Sequence, residues 1–136
     1  MSPSVRNGFT WSVLVSASLV VLGVFLQVYF IAAYLFEAGE DALDVHKNLG
    51  GIVHIFEVLA LIAAIVAYWG RWKKIIPAAL LAVIGTVQLG LADGDEWVGG
   101  LHGLLALVVL ILAHDVVMRC VRDLGLGRHG TSGPTQ

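Results

Sequence analysis

The most constraining feature of the chain is a run of 30 residues without a charge, from Asn7 to Phe36. A helix crosses an apolar layer of about 30 Å in roughly 20 residues, so this run is long enough to span a bilayer. It is too long for the apolar stretch of a cleaved signal peptide, and no small-residue cleavage site follows it. The expectation is a retained first span at about 9–36. Three further apolar runs follow, at about 45–69, 75–92 and 97–118. The second is broken only by Lys47 and Glu57, and the third has Pro77 in its first turn, where a missing N–H costs little. Composition agrees: 58% of residues are hydrophobic and 13% charged, which excludes an ordinary water-soluble domain. A net charge of -2 without any Lys/Arg-rich run speaks against a nucleic-acid partner. A single cysteine, Cys120, can form neither an internal disulfide nor a thiolate metal site.

The connections Glu37–Asp44, Arg71–Lys74 and Asp93–Glu96 are short, which makes sequence neighbours antiparallel neighbours. The expected fold is all-α: one integral membrane antiparallel four-helix bundle over residues 1–124, with residues 125–136, rich in Gly, Ser, Thr and Pro, as a disordered tail. Arg6, Arg71, Lys73, Lys74, Arg119, Arg122 and Arg128 fall on one side of this topology and only Lys47 on the other. The positive-inside rule then places both termini in the cytoplasm of a multi-pass plasma-membrane protein.

A faint repeat runs through the chain. LQVYF…FEAGEDALDVHKNL and VQLGLADGDEWVGGLHGLL each place Gln in a rising helix, Gly and acids in a turn, and His with Leu three later in a falling helix. The alignment needs a gap of five residues. It implies two hairpins related by a pseudo-two-fold axis along the membrane normal.

Ionisable groups inside spans are costly and face the bundle interior. Here they are His46, His54, Glu57, His102, His114 and Asp115, all in the second and fourth spans. His46 and His102 lie at comparable depth near the outer ends of those spans, and the repeat superimposes them. Small residues surround both: Gly50 and Gly51 near His46, and Gly99, Gly103 and Ala106 near His102. Two imidazoles at one depth on diagonal helices, beside slots for something flat, form the arrangement a bis-histidine haem requires. The expected cofactor is one haem b per chain, with His46 and His102 on the iron and Gly50, Gly99, Gly103 and Ala106 lining its slot. Zinc or copper fits less well, because the first and third spans offer no further ligands. The plainer reading of any one intramembrane histidine is an interhelical hydrogen bond.

The other polar residues divide similarly. His54 and Glu57, three apart, read first as a polar lock between helices and second as a proton relay leading inward. Asp115 precedes Arg119 by four residues, the spacing of a helix-end ion pair, and His114 has no small residues around it. Gln27 and Gln88 read as interhelical hydrogen-bonding groups or as supports near the pocket.

VHKNLGGIV in the second span, VQLGLA ending the third and LHGLLALVVLIL opening the fourth resemble one four-helix half of the haem A synthase family, and LQVYFIAAY is similar more loosely. The resemblance implies that His46 and His102 are the axial pair. It also implies an oxidoreductase working on haem, which in a half-size chain requires a homodimer to bring two haems together. The family's enzymes carry an acid three or four positions before the first histidine, whereas this chain has Leu43 and Ala42 there, with Asp44, Asp41 and Glu40 nearest. Many bacterial members also carry a cysteine pair in an outer loop, which this chain lacks. Three functions stay open: a b-type haem protein for electron transfer or haem handling with a respiratory-chain partner, a dimeric haem A synthase-like enzyme, and a cofactor-free structural, assembly or proton-coupled subunit.

Overall fold

A computed structural model describes residues 1–92 and 94–126, except for the side chain of Glu96. The chain is all-α: α1 is Pro3–Leu35, α2 Glu40–Ala67, α3 Trp72–Leu91 and α4 Glu96–Asp123. Each helix is long and apolar enough to cross a membrane. Packing is cyclic: α1 meets α2, α2 meets α3, α3 meets α4 and α4 meets α1, while no Cα atoms of a diagonal pair come within 8 Å among the described residues. Two hairpins therefore form a square bundle, with α2 and α4 on opposite corners.

The helices run past several of the boundaries expected from charge. A charge marks where an apolar span stops, but it does not stop backbone hydrogen bonding. The first helix starts at Pro3 rather than near 9, because Ser2 Oγ accepts the Val5 N–H and Pro3 occupies the opening position, where its missing donor is harmless. The second starts at Glu40 rather than near 45 and ends at Ala67 rather than 69, and the third spans Trp72–Leu91 rather than 75–92. The fourth continues beyond 118 through Arg119 and Arg122 to Asp123. There Gly125, with φ 72°, turns the chain, its N–H bonds the Arg122 carbonyl, and the Leu126 N–H reaches back to Val121. This Schellman cap makes Gly125 and Leu126 part of the helix ending instead of the expected tail. The rest of that tail, 127–136, lies outside the described residues.

Burial divides the bundle along its axis. At the basic end, where the chain begins, small side chains let the helices close together: Ala17 on α1, Ala60, Ala64 and Ala67 on α2, and Ala78 on α3 are at most 1% exposed. A middle layer follows, built from Val20, Val24, Val53, Leu81, Val109 and Ala113. Gly23 belongs to it by necessity, since Val53 fills the space a Cβ would need. Beyond that layer no described residue is buried: none on α1 after Val24, on α2 before Val53, on α3 after Gly85 or on α4 before Val109. The end carrying the acidic turns is thus open between its helices.

Polar pairs close the basic end. Lys74 Nζ contacts both oxygens of Asp123 at 2.7 Å, and Arg71 and Lys74 sit over the Tyr68 ring at 5.6 and 5.3 Å. Asp115 and Arg119 pair at 2.6 Å, as their spacing predicts. His114 on the same stretch is exposed.

Candidate functional site: two imidazoles across an open diagonal

His46 and His102 meet in the open end. Their ring centres lie 6.3 Å apart, with the planes at 74°. They come from α2 and α4, whose backbones stay apart, so the ring pair spans the diagonal.

Each ring is held in the same way. His46 Nδ1 bonds the backbone carbonyl of Gln27 on α1 at 3.0 Å, and His102 Nδ1 bonds the backbone carbonyl of Gln88 on α3 at 2.9 Å. A carbonyl can only accept, so both Nδ1 atoms carry the proton. In the neutral rings the lone pair then belongs to Nε2, and a fixed Nδ1–H orients each ring as metal-ligating histidines are oriented. The two anchors are separated by 19 and 14 residues, and the difference is the five-residue gap in the sequence repeat. The longer first turn is therefore absorbed without changing how the ring is fixed.

Two cavities border the pair. One, of about 340 Å³, opens among α1, α2 and α4 and is lined by Val28, Ile31, Leu43, Gly99, Gly103 and Ala106 beside the two histidines. This volume falls in the usual range of small-molecule sites. A Cβ at Gly99 or Gly103 would meet nothing within 4 Å, so both glycines leave open space beside His102. A smaller cavity of about 70 Å³ leads inward between α2 and α3, past Gly50 and Gln88 to His54 and Glu57. Gly50 differs from the expected open slot: Gln27 Nε2 lies 3.3 Å from where its Cβ would be, so this glycine admits the Gln27 carboxamide.

His54 and Glu57 form the polar pair their spacing suggests. His54 Nδ1 donates to Glu57 Oε2 at 2.8 Å, and Thr86 Oγ1 on α3 lies 3.4 Å from His54 Nε2. Glu57 is 2% exposed, and its carboxyl occupies the space a Cβ at Gly85 would take. A carboxyl can be buried at this point because α3 has no side chain there.

Sequence reasoning missed four participants. Lys47 lines both cavities and is the sole positive side chain among their lining residues, yet it entered the sequence argument only as a topological outlier. Thr86 gave no signal in a span of apolar neighbours. The anchors at Gln27 and Gln88 act through their carbonyls, which no side-chain pattern reveals. Among the described residues no three His, Cys, Asp or Glu side chains converge. No family model, curated protein or solved structure matches the chain.

Proposed function

We propose that the chain is an integral membrane b-type haem protein with His46 and His102 as axial ligands, serving electron transfer or haem handling. The observation that carries this reading is the pair of identical Nδ1 anchors, which leave two Nε2 lone pairs on rings 6.3 Å apart. Two neutral imidazoles this close, each fixed through its Nδ1–H, could hold one metal ion between their Nε2 atoms. A porphyrin supplies the other four donors, which fits a site with two protein ligands. Gly99, Gly103 and Ala106 would border the macrocycle, and Lys47 would meet a propionate carboxylate. When bound, the haem supplies one-electron chemistry. The chain contributes ligand orientation, an apolar surround and a matching positive charge.

In this reading the four apolar helices span the plasma membrane. Seven of the eight basic residues mark the cytoplasmic side, together with both termini, and the histidine pair lies near the outer face. The resemblance to one half of the haem A synthase family supports haem as the ligand. It supports oxidation of haem less well, because Leu43 lines the larger cavity where that family places an acid, and no acid is among the described residues that line it.

The test is an absorption spectrum of the purified protein, oxidised and then reduced with dithionite. Soret and α bands are expected, and both are expected to vanish in His46→Ala and in His102→Ala while helical circular dichroism is retained. A low-spin spectrum that persists in both variants overturns the ligand assignment. A modified haem recovered from the wild type, instead of haem b, would favour the enzymatic alternative.

A further inference from the structure

The most unusual group in the molecule outside the histidine pair is Glu57, a carboxyl 2% exposed in the middle of an apolar helix. Its burial is built into the fold: Gly85 makes the space, His54 Nδ1 holds Oε2, and the smaller cavity runs from this pair to His46 and His102. In a bilayer the exposed part of His54 would face lipid, so the cavity is the pair's route to protons. A simple interhelical lock would direct the carboxyl at a donor on another helix. Here its partner is on its own helix, and Thr86 contacts only the far side of that imidazole.

We propose that Glu57 with His54 is a proton-binding site linked to the redox state of the centre between His46 and His102. This rests on the haem reading. When the centre gains one electron from an external one-electron donor, the Glu57–His54 pair binds a proton from water more tightly and takes up part of a proton per electron on average, which offsets part of the added negative charge. Oxidation reverses the uptake. The titratable or charged groups facing the pair are few. Among the described residues, besides the pair itself, α2 presents His46 and Lys47 further out and α4 presents His102, while the polar groups from α1 and α3 are the uncharged Gln27, Gln88 and Thr86.

The magnitude follows from distance. His54 lies eight residues below His46, about 12 Å along the helix. One charge at about 12 Å in an effective dielectric of about 20 changes proton affinity roughly tenfold. A tenfold change for a one-electron couple corresponds to about 59 mV, so the midpoint potential should fall by about that amount in total as pH rises through the transition.

The experiment is a mediated redox titration of the intact haem-loaded protein across pH, for the wild type, Glu57→Gln and His54→Leu. The wild type is expected to show the fall, and both variants to give a flat profile with unchanged Soret and α bands. Redox-difference infrared spectra of the wild type should also show a carboxylic-acid C=O band that is absent from Glu57→Gln, which needs no activity assay. This band also decides the matter if one variant fails to accumulate. A haem-bearing protein with a pH-independent potential and no carboxyl band overturns the proton site alone, as does a pH dependence that survives in Glu57→Gln. A colourless protein overturns the haem reading and this inference together.

Discussion

The two ends of the bundle solve the same packing problem in opposite ways. At the basic end alanines bring the four helices together until Ala17, Ala60, Ala64, Ala67 and Ala78 are almost wholly covered. At the acidic end the same helices carry glycines and an alanine, yet no described residue is buried, and a cavity of about 340 Å³ stands between α1, α2 and α4. Small residues alone do not decide whether helices close. At the basic end each small side chain meets another helix, while at Gly99 and Gly103 the missing Cβ faces space. Two imidazoles braced on neighbouring carbonyls hold that space at a fixed width.

Matched leucines break or sharpen this contrast most strongly. Leu81 is 0% exposed in the middle layer and Leu104 is 58% exposed at the open end. Leu81→Ala should lower unfolding stability by about 2–5 kcal/mol, since it leaves a cavity among packed neighbours. Leu104→Ala should stay within about 0.5 kcal/mol, as surface changes do. Chemical denaturation in detergent compares the two, and similar losses would show that the open end is packed after all.

A smaller effect, but a more specific one, is expected at Gly103. Gly103→Leu should leave stability within about 0.5 kcal/mol because nothing lies within 4 Å of a new Cβ. It should still reduce haem binding at least tenfold, roughly 1.4 kcal/mol, by filling the cavity. Pigment-to-protein ratio after reconstitution measures this, and unchanged haem content would place the ligand elsewhere.

The smallest expected change is at the closed end's polar rim. Lys74 and Asp123 pair with side chains 40% and 29% exposed, so Lys74→Ala should cost under about 1 kcal/mol and less in high salt. A larger loss would mean that the basic end depends on this charge pair as well as on its alanine seam.

The sequence carried the bundle plainly, because apolar runs of spanning length and short connections leave little choice of topology. The same periodic signal also singled out His46 and His102, since polar groups stand out where nearly every neighbour is apolar. What escaped was whatever is carried by the main chain or by length. Charge placed the start of α1 too late and the end of α4 too early, because a helix runs from cap to cap, as at Ser2 and Gly125. Gln27 and Gln88 were noticed for their carboxamides, whereas the groups that grip the histidines are their carbonyls. Gly50 was taken for a slot beside His46, but a side chain from α1 already occupies it.

The wide separation of the α2 and α4 backbones has a mechanical consequence. At the acidic end the histidine pair is what those two helices present to each other, so a ligand seated on both histidines would act as a keystone spanning the square. Its binding energy would be added to the stability of the acidic end in proportion to the logarithm of its concentration. That end would then be completed by its ligand after the alanine seam had assembled the rest, and it would be the first part to loosen when the ligand is withheld.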